Sequence, residues 1–284
     1  MPSFDTPEPI SVKISIPRGN ALITASDRTD TVVEVRPTDA TNDNDVKAAR
    51  ETRVEFSSGA LLVKTTRTRS FFAKGGSVTL TIELPAGSHV TGDFAGGQLR
   101  SVGRLGDCKF NTASAAIQLE EAAELRVKAA SGDVSATKVT GQASVIMASG
   151  DVNVGWVGGS ASVQSASGDV RLGEVIGEVR VNSASGDISV ERAHASVSAK
   201  AASGAVRLGE AIRGSAVLKT ASGGVEVGIA EGTAAWLDVN SFSGGIRNSL
   251  SAAGGPEQTD ETVKVTVRSY SGDVVIRRSD RATV

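Results

Sequence analysis

From Val127 onward, apolar and polar residues alternate in short runs, and the runs return at a fixed interval. With the Ser of each Ser-Gly pair as the anchor, Ser131, Ser149, Ser167, Ser185 and Ser203 follow one another at intervals of 18 residues. Ser222 comes 19 later, Ser243 a further 21 and Ser271 a further 28. Three positions after the anchor stand Val134, Val152, Val170, Ile188, Val206, Val225, Ile246 and Val274, and four before it Val127, Val145, Val163, Val181, Ala199, Leu218, Val239 and Val267. Polar side chains alternate with them, the period of two that marks short half-buried strands. A glycine ten positions past the anchor (Gly141, Gly159, Gly177) marks a second turn, so each unit reads as two strand segments separated by two corners. One such unit cannot bury its own apolar edge. Units laid coil over coil can, each strand pairing in parallel with its equivalent about 4.8 Å away. The pattern therefore predicts an all-β fold, a parallel β-solenoid of 18 residues per coil. Its core should hold Val134, Val152, Val170, Ile188, Val206 and Val225 on one side and Val145, Val163 and Val181 on the other.

Upstream, "FNTASAAIQLEEA" fits the same columns without the Gly-Asp corner and sends Cys108 and Phe110 inward, so the solenoid is expected over residues 91–278. Before residue 90 the period is lost. "ISVKISI", "TVVEVRP", "TRVEFSSGALLVKT" and "SVTLTIELPAG" alternate over longer runs split by turn residues, which predicts a mainly antiparallel β module over 1–90. Its role would be to cap the first coil, which would otherwise present a bare sheet edge. "TNDNDVKAARET", 41–52, is a short helix candidate with Asn or Asp as its cap. "NSLSAAGGPEQTDET", 248–262, reads as a loop inserted from the penultimate coil, and 279–284 as a tail.

Composition narrows the function classes. The 284 residues are enough for a sizeable core, and 32 glycines with 4% aromatics suit tight turns around a narrow one. A net charge of -2 lacks the global basic footprint of a nucleic-acid binder, so no nucleic acid is expected. The single Cys108 excludes an intrachain disulfide and a multi-cysteine zinc cluster, and should be a small buried filler. No run approaches the 18 apolar residues of a membrane span, and "MPSFDTPEPI" lacks the charged and apolar regions of a secretory signal. A cytoplasmic location is the expectation that follows.

Chemistry-bearing residues are few. The Asp after Ser-Gly recurs as Asp133, Asp151, Asp169 and Asp187, and again as Asp273. Parallel stacking would line these carboxylates up one strand spacing apart. They serve either as corner residues hydrogen-bonded to nearby backbone or as a rail for a divalent cation, and Ala205, Gly224 and Gly245 interrupt the row. The calcium-binding β-roll needs G-G-x-G-x-D in each half-coil, and no G-x-G occurs. "KTTRTRSFFAKGG", 64–76, sets Arg67 and Arg69 around Phe71 and Phe72, either a contact patch for an anionic partner or a loop packing over the solenoid end. Trp156, just before an inward Val157, could stack on a sugar or cover its neighbours. His89 and His194 lie in no nucleophile motif, and GK[ST], H-E-x-x-H and C-x-x-C are absent, so no catalytic residue, metal or cofactor is assigned.

With "FDTPEPISV", "GGSVTLTIELPAGS", the successive "ASGDV" coils and the closing "SGDVVIRRS" read together, the chain resembles actinobacterial members of the putative-adhesin family of β-strand-repeat proteins. The likeness spans essentially the whole length and implies a β-solenoid without established catalytic residues. The reading of the residues and the resemblance agree on a non-enzymatic interaction or scaffold protein whose long regular face, or the 248–262 loop, meets a protein or polymer partner. One alternative is self-association end to end, as in bactofilin filaments; the other is a carbohydrate-active β-helix enzyme with an acidic cleft beside Trp156.

Overall fold

Period-two alternation becomes strand wherever the polar face can reach water and the apolar face a neighbouring coil, and strands dominate the computed structural model, which describes residues 1–65, 76–251 and 261–279. The chain is a β-solenoid built as two compact units, 1–140 and 141–284.

In the second unit each coil contributes two strands, as in Ala161–Ser167 with Val170–Val175 and Val179–Ser185 with Ile188–Ala193. Equivalent strands pair in parallel and in exact repeat register, Val163 opposite Val181 and Val170 opposite Ile188. Val145, Val152, Val163, Val170, Val181, Ile188, Val206 and Val225 are buried and form two continuous apolar stripes. Burying each such side chain fully is worth roughly 1.5–3 kcal/mol, so every coil is stabilised chiefly by the coils on either side of it. The second strand of each coil also carries a bend that periodicity does not reveal. The ladder skips Gly173 between Leu172 and Glu174, and a Cβ added there would lie 2.0 Å from the Gly155 carbonyl oxygen.

The order of coils in space departs from their order in sequence. The strand Gly214–Ser222 pairs not with the next segment of chain but with Glu261–Ser271, whose other edge carries Thr233–Ser243. Val225–Ile229 likewise pairs with Val274–Arg278, and Ile246–Asn248 lies beyond it. The last coil in sequence is therefore inserted beneath the one before it, so the coil that is penultimate in sequence is outermost in space; most of the expected loop after it, 252–260, lies outside the described residues. Intervals of 21 and 28 between the late anchors measure this return path, not a stacking distance.

The first unit shows the same insertion at its start. Ser11–Ser26 pairs in parallel with His89–Val102 on one side and with Ala60–Lys64 and Val78–Pro85 on the other. Parallel stacking thus begins at Ser11, although the offset of 78 residues between Ser11 and His89 hides it from a search for period 18. The stack continues through Arg104–Ala129 to Val134–Val139, with Cys108, Phe110 and Val134 buried. Antiparallel strands close the outer edge. Arg53–Ser57 lies on Ala60–Lys64, Asp30–Pro37 on Val78–Pro85, and Ser3–Asp5 on Asp30–Pro37. The segment before residue 90 thus combines the expected antiparallel pairs with parallel ones made by Ser11–Ser26. The helix Asp43–Glu51 starts at an Asn42 cap that accepts the Asn44 N–H at 3.0 Å. Its buried Asp45 carboxylate accepts the N–H groups of Ser77 at 2.8 Å and Asp39 at 3.1 Å, fixing the helix to that edge.

Candidate functional site

The Ser-Gly-Asp corner is built by two interactions that repeat from coil to coil. Gly168 has φ +115°, and a Cβ there would sit 2.1 Å from the Gly150 carbonyl oxygen, so position and conformation both require glycine. One residue on, Asp151 Oδ1 accepts the N–H of Asp169 at 2.9 Å, Asp169 that of Asp187 at 2.9 Å, and Asp187 that of Ala205 at 2.8 Å. Asp273 does the same for Gly245 at 2.8 Å. Each carboxylate thus hydrogen-bonds the backbone of the coil stacked on it, a task that accounts for the recurrence of Asp. The second oxygen of Asp169 meets Arg171 at 2.6 Å. Asp133 lies exposed at the equivalent corner of the first unit. Among the described residues, no group of three or more His, Cys, Asp or Glu side chains is gathered as a metal would need.

The outward face of the first strand of each coil has a different character. In the second unit, the position before the anchor is Ala148, Ala166, Ala184, Ala202 and Ala221, all exposed, and then in spatial order Tyr270 and Phe242. Two positions earlier the column runs Ile146, Gln164, Asn182, Lys200, Lys219 and Arg268. Between these columns lies a shallow open trough floored by the alanines and edged by Gln164, Asn182 and Lys200. Beyond Ala202 the alanine column continues through Ala221 to the stacked rings of Phe242 and Tyr270, whose centroids are 4.9 Å apart with an interplanar angle of 7°. The two rings are 76% and 63% exposed, in a chain with only 4% aromatic residues.

Charge along the trough is positive toward the aromatic end. Lys200 and Lys219 sit in direct register, and among the described residues neither lies within ion-pair distance of a carboxylate. Arg268 is held by Asp238 at 2.6 Å, and that hydrogen bond keeps the Asp238 carboxyl below its ordinary range. The face therefore offers amide and ammonium donors at one per coil, a flat floor and an aromatic platform. Such a surface matches an extended polymer better than a small molecule, which needs a concave site that encloses it.

The remaining sequence candidates are dispersed. Arg67, Arg69, Phe71 and Phe72 lie outside the described residues. Trp156 is half-buried on the other strand of its coil, in register with Glu174, then Arg192 and Glu210. Arg192 and Glu210 pair at 2.5 Å and His194 meets Glu174 at 2.6 Å, so the surroundings of Trp156 alternate in sign instead of forming an acidic cleft. His89 Nδ1 accepts the Asp107 N–H at 2.9 Å. Burial, with a smaller effect of Asp107, pushes the Cys108 thiol up to about 12, which leaves it a protonated filler at neutral pH. Sequence reading passed over Tyr270 and Phe242, although the signal is present. The residue before each anchor is Ala through six coils and becomes aromatic only in "SFSGG" and "SYSGD".

A model of the family described as Toastrack DUF4097 matches residues 12–277. No curated protein matches the chain. Among solved structures, it is similar to a putative lipid binding protein from Parabacteroides distasonis ATCC 8503, at 11% identity, 96% and 95% coverage of the two chains and a TM-score of 0.39. A putative adhesin from Parabacteroides merdae ATCC 43184 matches at 12% identity, 97% and 94% coverage and a TM-score of 0.36. A putative cell adhesion protein from Clostridium sporogenes ATCC 15579 matches at 12% identity, 98% coverage of each chain and a TM-score of 0.26. No helix among the described residues is long and apolar enough to cross a membrane.

Proposed function

The chain belongs to the Toastrack DUF4097 family, and from that premise we propose that it is a non-enzymatic binding solenoid whose trough face takes an extended protein or polymer partner. The observation that carries this reading is the replacement of the exposed alanine column by the stacked pair Tyr270 and Phe242, at the end where Lys200, Lys219 and Arg268 follow one another. Exposed aromatic rings cost solvation without aiding the fold, whereas aromatic and arginine side chains are the usual anchors of interfaces. Several outward arginines on the other strands are held in pairs, Arg171 with Asp169 and Arg207 with Glu226, whereas among the described residues Lys200 and Lys219 on this face are not. A regular row of donors one coil apart can follow a linear polymer without any one contact being strong.

Site-specific photo-cross-linking tests the reading. A photoreactive residue in place of Ala202 on the trough should yield adducts with polymer or protein from the native source, and Tyr270→Ala should reduce them severalfold. The same photoreactive residue in place of Asn153, on the outward face of the other strand, should not. Equal adducts from both positions, or none from Ala202, would exclude the trough as the binding face.

A further inference from the structure

The strand Thr233–Ser243 is the outer edge of the second unit, paired on one side with Glu261–Ser271 and, among the described residues, with nothing on the other. It is 11 residues long and carries neither Pro nor Lys, the residues that usually blunt an exposed edge. Its inward side chains Leu237 and Val239 are only half-buried, whereas their partners Val265 and Val267 one coil below are fully buried. Its outward side chains include Trp236, 68% exposed, and Phe242, 76% exposed.

We propose that this edge is a homodimer interface, on which the same strand of a second copy lies antiparallel about a two-fold axis through Val239. The sequence around Val239 is complementary to itself in this register. Directly opposed residues of an antiparallel pair share a face, so Trp236 meets Phe242 of the second copy, Asp238 meets Asn240 and Leu237 meets Ser241, each pair occurring twice. The amide of Asn240 donates to the carboxylate of Asp238, and the aromatic pairs cover both exposed rings. Neighbouring registers are worse. An axis through Asp238 sets two carboxylates face to face, one through Asn240 sets Asp238 against Phe242, and an axis between residues opposes inward to outward side chains. The pairing would continue the Leu237 and Val239 stripe onto the second copy and give the edge N–H and C=O groups partners. The outermost coil of the first unit is closed to such an addition by Arg53–Ser57 and Asp30–Pro37, so growth there into a fibre is blocked and a closed pair is the result.

The full chain should sediment as a dimer. Asn240→Asp, an exposed change that leaves the core untouched, opposes Asp to Asp twice and should weaken the dimer about tenfold. The double change Asp238→Asn with Asn240→Asp exchanges the partners and should restore it; in that variant residue 240 also faces Arg268, which keeps the ion pair within the protomer. A wild-type chain that stays monomeric at its highest soluble concentration overturns the proposal. So does a dimer indifferent to Asn240→Asp, or a double variant as weak as the single one. The dimer and the trough reading share Phe242, but mass is read here without any ligand and through Asn240, whereas the trough is tested at Ala202 and Tyr270, so the failure of either can be told from that of the other.

Discussion

In the first unit the outermost coil, Ala60–Lys64 with Val78–Pro85, carries antiparallel partners along its outer edge and a helix fixed to it through Asp45. In the second, the outermost coil, Thr233–Ser243 with Ile246–Asn248, carries no strand on its outer edge among the described residues. The contrast shows in burial: Val63, Leu80 and Ile82 are fully buried, while Leu237 and Val239 are half-buried and Ile246 is exposed. Both units nevertheless place one strand out of sequence order, one coil inside the outermost, Ser11–Ser26 in one and Glu261–Ser271 in the other. A terminal coil held on both edges cannot fray as an end coil would, so stability and an open edge can coexist.

The strongest way to break this arrangement is at the corner of the tucked coil. Gly272 has φ +141° and a Cβ there would stand 2.1 Å from the Gly223 carbonyl oxygen, so Gly272→Ala should cost upwards of about 3 kcal/mol in urea unfolding by combining backbone strain with overpacking. A smaller and more discriminating effect comes from a matched pair. Val267→Ala, in the doubly covered coil, should cost about 2–3 kcal/mol, whereas Val239→Ala, its register partner on the bare coil, should cost about 1 kcal/mol when measured at high dilution. Equal costs would mean that the outer coil is covered after all.

The smallest effect concerns the charge that ties the tucked coil to the one beneath it. Burial pushes the Glu226 carboxyl up, but hydrogen bonds from Arg207 at 2.8 Å and Arg277 at 3.0 Å outweigh it and leave the group below its ordinary range. A carboxyl lowered on folding contributes stability that is complete above its unfolded value, about 4.3, and is lost as pH falls through the lowered one. Glu226→Gln should therefore reduce stability by no more than about 1 kcal/mol at pH 7, and the difference from wild type should shrink as pH falls below about 4.3 and vanish once the lowered value has been passed. A difference that persists there would assign the effect to packing instead.

The stacking of equivalent aliphatic residues was legible in the sequence, because a parallel ladder forces like positions into columns and Val152, Val170 and Ile188 repeat at the stacking interval. The Asp column was legible as a corner residue, but its partner was not, since the acceptor role toward the next coil depends on vertical neighbours 18 residues away. The trough was missed for a related reason. Tyr270 and Phe242 are 28 residues apart in the chain, an interval well off the 18-residue repeat, and their contact becomes visible only once the two late coils are seen to lie in direct register.

By itself the sequence determined the repeat, the inward stripes and the glycine corners, because these depend on local alternation and on a constant coil length that any stacking must respect. Tertiary structure alone decided which coil lies on which, which edge is closed and which outward residues gather into one face. Such choices are made between segments of similar pattern, where backbone pairing is equally possible for several partners, and burial over the whole stack selects among them.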